Sequence, residues 1–179
     1  MRAAFTRAAA LDDVVRRAGE LSARTMIFDV EPLVAYWNGG QDALDEGVTR
    51  VLGEVAVLPA VEVVCFATNS LRRPSPVPGE PGVPGEPGVP GEPGVRVVYL
   101  ASAGKPLRTA PYLGFPRPGM VIGDQVATDG ILARRLGYAF VLFDPRLDTV
   151  PLGPRLMDAG GRLLRPLLFT GPKAVSRPR

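Results

Sequence analysis

Short apolar runs alternate with amphipathic segments along most of this chain. Five runs are rich in β-branched and aromatic residues, a composition typical of buried strands. They cover residues 25–30, 61–67, 96–100, 120–122 and 139–143. Between them, apolar positions recur at helical spacing, most clearly over residues 14–21, 43–55 and 127–136.

The alternation of strands and helices predicts an α/β protein. We expect a three-layer, Rossmann-like fold in which a parallel sheet of about five strands carries helices on both faces. Asp12 is expected to cap the first helix, and Gly137 is expected to end the third.

Polar side chains follow the ends of most of the predicted strands. Because the carboxyl ends of parallel strands meet at one edge of a sheet, where open α/β sheets bind their ligands, we expect these side chains to converge. In chain order they are Asp29, Glu31, Thr68, Asn69, Lys105, Asp124 and Asp129.

The composition limits the chemistry that these groups can perform. The chain has no histidine, which excludes Ser-His-Asp triads, histidine proton relays and histidine-bound zinc. A metal ion must therefore be bound mainly by oxygen atoms, which favours magnesium over zinc. The single cysteine, Cys65, lies inside an apolar run, so we expect a buried thiol and no intramolecular disulfide.

The predicted cluster is suited to phosphoryl transfer. A carboxylate nucleophile needs a divalent cation that offsets its repulsion from a phosphate dianion, and Asp124 would share that cation with Asp29. Thr68 and Lys105 would hold the phosphate oxygens and stabilise the charge of the transition state. Asp29 would form an aspartyl-phosphate, which water then hydrolyses.

The order of these motifs resembles the haloacid dehalogenase (HAD) superfamily of phosphatases, and within it the YqeG-like IIIA branch, which includes mitochondrial phosphatidylglycerophosphatases. The resemblance covers roughly residues 11–145. Thr68-Asn69 matches the second motif of the family, and Lys105-Pro106 matches the third. The most specific match is Gly123-Asp124-Gln125-Val126-Ala127-Thr128-Asp129, which agrees in full with Gly-Asp-Gln-x-x-Thr-Asp.

This resemblance implies a HAD-like Rossmannoid fold without a large cap domain, and a phosphomonoester hydrolase. It implies that Asp29 is the catalytic nucleophile and that Glu31 protonates the leaving group and then activates water. Thr68, Asn69 and Lys105 would bind the phosphate of the substrate.

The resemblance also implies Mg²⁺ as the cofactor. The carboxylates of Asp29 and Asp124 would bind the ion together with the backbone carbonyl of Glu31. Asp129 would contact the ion or support its ligands. The branch implies phosphatidylglycerophosphate as the substrate, and an open site without a large cap domain is consistent with this or another large phosphorylated molecule.

The first motif departs from the pattern of the family. Glu31 stands where Asp is usual, which adds one methylene, and Leu33 stands where Thr is usual. Misplacing a catalytic group by about 1 Å can cost roughly 10²-fold in rate. The sequence therefore leaves open an alternative, a non-catalytic HAD-like module that keeps the fold and the magnesium site but has lost efficient turnover.

We predict a single HAD-like domain over residues 1–179. Residues 71–95 form a Pro/Gly-rich insertion with three copies of Pro-Gly-Glu-Pro-Gly-Val, which is typical of a solvated loop with polyproline character. Residues 165–179 are expected to be a flexible basic tail that can contact an anionic membrane surface peripherally.

Partners and location are expected to follow from charge and hydropathy. The net charge of +3 comes from an Arg-rich composition, so we expect no nucleic-acid partner. The chain has no apolar stretch of membrane-spanning length. Residues 1–10 contain no apolar block of secretory type, so we expect no export. We therefore expect a cytoplasmic protein.

Overall fold

The structure is a computed structural model that describes residues 4–75, 95–144 and 169. Six strands and three α-helices form an α/β fold. The strands are β1 (Phe5–Ala8), β2 (Thr25–Asp29), β3 (Val63–Ala67), β4 (Arg96–Leu100), β5 (Gly119–Gly123) and β6 (Ala139–Phe143), and the helices are α1 (Leu11–Glu20), α2 (Gln41–Val55) and α3 (Ile131–Leu136). A short 3₁₀ turn (Ala110–Tyr112) and a π-helical turn (Val126–Gly130) complete the described elements.

All six strands pair in parallel, in the order β1-β6-β5-β2-β3-β4. The predicted parallel sheet is confirmed, but it has six strands and not about five. The additional strand is β1, which pairs with β6 at one edge of the sheet. Its sequence, Phe-Thr-Arg-Ala, buries only its two end residues, so it lacks the continuous apolar run that identifies the other strands.

The core lies on both faces of the sheet, as predicted. Along β2, Met26 and Phe28 pack in one apolar cluster and Ile27 packs in the other, because successive side chains of a strand point to opposite faces. The first cluster includes the buried stripes of α1 and α2, and the second includes α3 and Tyr112. Helices therefore cover both faces of the central strands.

Two helix boundaries differ from the prediction. Helix α1 begins at Leu11 with Ala10 at its N-cap, so Asp12 lies in the first turn and does not cap the helix. The helix predicted over residues 127–136 is divided into the π-helical turn and α3. Gly137 ends α3 in the left-handed conformation (φ 69°), which confirms the predicted C-cap.

The structure describes only small parts of the predicted insertion and of the predicted tail. Residues 76–94 of the predicted insertion, and all of the predicted tail except Phe169, lie outside the described residues. Phe169 departs from the expected solvated tail because it is buried and packs against Phe5 and Phe140. Within the described ranges, no helix has the length and apolar character needed to cross a membrane.

Candidate active site

The predicted polar side chains lie at the carboxyl edge of the sheet. Asp29 is the last residue of β2, Thr68 follows β3, and Asp124 follows β5. Because β2 lies between β3 and β5, these three positions are neighbours. Lys105 reaches the same place from the loop after β4, and Asp129 reaches it from the π-helical turn after β5.

Lys105 is the buried cation of the site. Its Nζ lies 2.8 Å from Asp29 Oδ1 and 2.8 Å from Asp129 Oδ1, and only 2% of its side chain is exposed. Removing an ammonium group from water is costly unless charged partners compensate for the lost hydration. Two carboxylates at hydrogen-bond distance provide that compensation and fix the position of the ammonium group.

A third carboxylate, that of Asp124, lies near the two that contact Lys105. Oxygen atoms of Asp29, Asp124 and Asp129 all lie within 4.8 Å of one another. With Lys105 the cluster carries three negative charges and one positive charge, a net charge of −2 when all groups are ionised. A divalent cation bound to these oxygens would bring the cluster to neutrality.

The pKa shifts in the cluster reflect the same excess of negative charge. Burial raises the pKa of Asp29 well above its usual value, and the charges of Asp129 and Asp124 raise it further against the opposing effect of Lys105. Burial alone would lower the pKa of Lys105, but the charges of Asp129 and Asp29 outweigh it and the pKa is raised. Lys105 therefore stays protonated, and a further cation would favour the ionised form of Asp29.

Asp129 is held deep in the site by the π-helical turn. Its side chain is 1% exposed, and its Oδ2 accepts hydrogen bonds from the Gln125 backbone N–H (3.4 Å) and the Thr128 hydroxyl (3.3 Å). The wide turn points this carboxylate toward Lys105, and π-helical turns are frequent at functional sites. The helical periodicity of the sequence did not predict this turn.

Asn69 holds the loop that carries Lys105. The Lys105 backbone N–H donates to Asn69 Oδ1 at 2.8 Å, and Asn69 Nδ2 donates to the Lys105 carbonyl at 3.0 Å. Both polar atoms of the side chain are therefore bound to the Lys105 backbone. The expected role in phosphate binding would fall to the second Nδ2–H and to the backbone of Asn69.

Glu31 lies beside the cluster, but its carboxylate faces a different set of groups. Thr68 Oγ1 donates to Glu31 Oε2 at 2.7 Å, and Ser70 Oγ donates to Glu31 Oε1 at 3.3 Å. Arg72 NH1 lies 3.5 Å from Glu31 Oε1. Glu31 is expected to act on the leaving group, and the Thr68 hydroxyl is expected to bind phosphate. In this structure these two groups are hydrogen-bonded to each other.

Arg72 and Ser70 were not predicted as site residues. Arg72 donates to the backbone carbonyls of Tyr36 (3.0 Å) and Gly39 (2.8 Å), which ties the loop after β3 to the loop after β2. Ser70 directly follows the predicted Thr68-Asn69 motif, and Arg72 lies three residues after Asn69. An arginine this close to a predicted phosphate-binding motif is a signal that could have identified Arg72, because guanidinium groups pair with phosphate oxygens.

The site opens into a cleft of about 290 Å³. Trp37 lies in its wall, and the cleft is bordered by the three loops described above. A larger cavity of about 530 Å³ is lined mainly by the loop after β2 and by residues of α2. That cavity contains none of the predicted site residues, so the smaller cleft is the chemically relevant one. The cleft is lined by Asp29, Glu31, Trp37, Thr68, Asn69, Ser70, Arg72, Lys105, Gln125 and Thr128.

The arrangement combines the elements that phosphoryl transfer requires. Asp29 offers a carboxylate oxygen to the cleft, Lys105 provides positive charge beside it, and Thr68 provides a hydroxyl group. Three carboxylates provide an all-oxygen set of ligands for a hard divalent cation. Comparison of the chain with protein-family models, curated proteins and solved structures gives no significant match.

Proposed function

We propose that this protein is a magnesium-dependent phosphomonoester hydrolase of the HAD superfamily, in its YqeG-like IIIA branch. The observation that carries the proposal is the position of Asp29. Its carboxylate lies at the end of the central strand, borders the cleft, and is paired with the buried ammonium group of Lys105 and flanked by Asp124 and Asp129. A nucleophilic carboxylate needs these neighbours in order to approach a phosphate dianion.

Mg²⁺ fits the chemistry of the three carboxylates. Mg²⁺ prefers oxygen ligands, commonly one or two carboxylates together with water and substrate phosphate oxygens. Asp29 and Asp124 would bind the ion with the backbone carbonyl of Glu31, and Asp129 would support it while pairing with Lys105. The ion would supply positive charge that offsets the repulsion between Asp29 and the phosphate.

The proposed reaction assigns a role to each group in the cleft, with the role of Glu31 taken from the resemblance to the family. An oxygen of Asp29 attacks phosphorus, the bond between phosphorus and the ester oxygen breaks, and an aspartyl-phosphate forms. Glu31 gives a proton to the departing oxygen and then accepts one from the water that hydrolyses the intermediate. Lys105 and Thr68 stabilise the phosphoryl oxygens.

The substrate that we propose is phosphatidylglycerophosphate or another large phosphorylated molecule. The cleft volume of about 290 Å³ lies at the lower limit for pockets that enclose small molecules. It can receive a phosphate and part of a head group, whereas acyl chains would stay outside it. The lipid itself is inferred from the resemblance to the branch. We further propose peripheral contact with a membrane and a cytoplasmic location.

A second candidate function is a non-catalytic module that binds magnesium on the same scaffold. The observation that favours it is the hydrogen bonding of Glu31, whose carboxylate accepts from Thr68 and Ser70 and lies beside Arg72. A carboxylate that remains in this position is not available to protonate a leaving group. Turnover would then be lost while the Asp29, Asp124 and Asp129 cluster could still bind the ion.

Phosphate release from an aryl phosphate and from phosphatidylglycerophosphate, with and without Mg²⁺, tests the proposal. The variants are Asp29→Asn, which removes the nucleophile, and Glu31→Asp, which restores the usual residue of the family. Asp42→Asn is the matched control because Asp42 is exposed at the start of α2. The expected result is turnover that requires Mg²⁺, is abolished in Asp29→Asn and is retained in Asp42→Asn.

Trapping of the intermediate separates the two candidate functions. A phosphatase should form a covalent aspartyl-phosphate that is absent in Asp29→Asn. Wild-type protein that is folded and stabilised by Mg²⁺ but forms no intermediate on either substrate would contradict the enzyme. Recovery of turnover in Glu31→Asp would then identify a decayed active site on an intact scaffold.

A further inference from the structure

Three donors converge on the carboxylate of Glu31 inside the cleft. Thr68 Oγ1 lies 2.7 Å from Oε2, and Ser70 Oγ and Arg72 NH1 lie 3.3 Å and 3.5 Å from Oε1. All four residues line the same cleft as Asp29. Two hydroxyl groups and a guanidinium group around one carboxylate make an anion-binding arrangement, and the anion at present is a side chain of the protein itself.

The donors are oriented independently of Glu31. Thr68 Oγ1 accepts a hydrogen bond from the Ser70 backbone N–H (2.9 Å), and Ser70 Oγ accepts one from the Arg72 backbone N–H (3.2 Å). The Thr68 proton has two acceptors within reach, Glu31 Oε2 at 2.7 Å and Ser70 Oγ at 2.9 Å, so the two hydroxyl groups stay linked to each other when Glu31 is absent. Thr68 is fully buried, so its hydroxyl group has a fixed position.

Arg72 is fixed in the same way. Its guanidinium donates to the carbonyls of Tyr36 and Gly39, and 24% of its side chain is exposed. These contacts hold the positive charge at the rim of the cleft whether or not Glu31 is present. A preorganised guanidinium group and two hydroxyl groups suit a phosphoryl oxygen as well as they suit a carboxylate.

We propose that Thr68, Ser70 and Arg72 form an oxyanion subsite that Glu31 occupies in this conformation, and that a phosphoryl group binds by displacing Glu31 from it. The inference rests on the proposed function for the identity of the ligand as a phosphoryl group. Glu31 is then an internal competitor of the substrate. Its displacement would release the Thr68 hydroxyl for the phosphate and free the Glu31 carboxylate to approach the leaving group.

Binding of inorganic phosphate measured by titration calorimetry, with Mg²⁺ present and no substrate, tests the inference. Removing the internal competitor in Glu31→Ala should tighten phosphate binding about tenfold, because an occupied subsite lowers the apparent affinity by the fraction of molecules that are competent to bind. Glu31→Gln keeps the size of the side chain but weakens its hold on Arg72, and should change the affinity in the same direction. Glu46→Ala, which removes an exposed carboxylate of the larger cavity, should leave the affinity unchanged.

A double-mutant cycle distinguishes occupation of the subsite from simple charge repulsion. If Glu31 competes for the subsite, the gain from Glu31→Ala should disappear when Arg72→Met is added, and should be reduced when Ser70→Ala is added. If Glu31 only repels phosphate through its charge, the gain should persist undiminished in both backgrounds. Persistence of the full gain would overturn the inference.

The remaining outcomes are equally decisive. Phosphate affinity that is unchanged or weaker in both Glu31→Ala and Glu31→Gln, with wild-type thermal unfolding, would also overturn the subsite. The measurement needs no turnover, so failure of the phosphatase assays together with the expected pattern of phosphate binding would contradict the enzyme and support the subsite. Turnover together with phosphate binding that is insensitive to changes at Glu31 would support the enzyme and contradict the subsite.

Discussion

Gly123 and Asp129 are packed so closely that no side chain fits between them. A methyl group on Gly123 would overlap the Asp129 carboxylate and would come within 2.7 Å of its Cβ. Gly123 is the last residue of β5, and Asp129 lies in the π-helical turn that follows it. The absence of a side chain at position 123 therefore sets how deeply Asp129 enters the site, and with it the place of the Lys105 ammonium group.

We expect Gly123→Ala to damage the site through Asp129. Overpacking of a filled interior costs about 1–3 kcal/mol of unfolding free energy. If the proposed function holds, the displaced carboxylate should also reduce turnover and any rise in melting temperature on addition of Mg²⁺. Gly53→Ala is the control because Gly53 lies exposed in α2 with open space around it. That change should stabilise the protein by about 0.5–1 kcal/mol. If Gly123→Ala unfolds at the same temperature as wild type and is stabilised by Mg²⁺ to the same extent, the proposed role of Gly123 in positioning Asp129 would be contradicted.

Asn69→Ala tests whether this side chain positions Lys105. It removes two hydrogen bonds to the Lys105 backbone, which should cost about 1–2 kcal/mol of unfolding free energy. Turnover should fall by roughly tenfold or more because the ammonium group loses its fixed position. Thermal unfolding and the separate effects on kcat and KM provide the measurement, with Asn38→Ala at an exposed loop position as the control. A rise in KM alone, with unchanged stability, would instead indicate direct phosphate binding by the side chain.

The sheet and most of the cluster were predictable because both depend on local patterns. Strands of a parallel sheet are continuous apolar runs. The predicted runs for β4 and β6 match the structure at both ends, although β4 lies at the edge of the sheet and is only partly buried. Asp29 and Asp124 could be assigned to the same edge because Asp29 lies at the end of one strand and Asp124 directly follows another. Lys105 was predicted from its motif, and the structure places its ammonium group between two carboxylates.

The features that were missed depend on contacts between distant parts of the chain. Strand β1 is defined by pairing with β6, far along the chain, and its own four residues carry little signal. The π-helical turn depends on the close approach of Asp129 to Gly123, which helical periodicity does not record. The position of Glu31 depends on Ser70 and Arg72, about 40 residues further along the chain, so sequence spacing alone could not place its carboxylate.

The stability of the protein should decrease at alkaline pH because Cys65 is buried. Burial raises the pKa of its thiol to about 12, whereas an exposed thiol ionises near pH 8.5. The contribution of the buried, protonated thiol to the free energy of unfolding is therefore complete below about pH 8.5 and is lost as the pH rises toward 12. Between pH 7.5 and pH 10 the loss should be about 2 kcal/mol. Urea unfolding of wild type and Cys65→Ala at both pH values measures it, because the variant cannot ionise at this position.

The same thiol should be inert while the protein is folded. Cys65 is fully buried within β3, so a thiol reagent should react only as fast as the protein opens. Reaction with an aromatic disulfide reagent should be slow in buffer and rapid in denaturant. Rapid stoichiometric reaction of the folded protein, or equal pH dependence of wild type and Cys65→Ala, would contradict the burial of this group.

Lys105→Met should change the net charge of the ionised cluster from −2 to −3, because it leaves the three carboxylates without the ammonium group. Losing one partner of a buried ion pair typically costs about 3–5 kcal/mol, so the variant should be strongly destabilised in a metal chelator. Mg²⁺ should restore more stability to Lys105→Met than to wild type, because the ion can replace part of the missing positive charge. Melting curves in chelator and across a Mg²⁺ titration measure both effects. Arg73→Met, which removes one exposed positive charge near the same edge of the sheet, should change neither. Equal stability of Lys105→Met and wild type in chelator would contradict the ion pairs on which the proposed site depends.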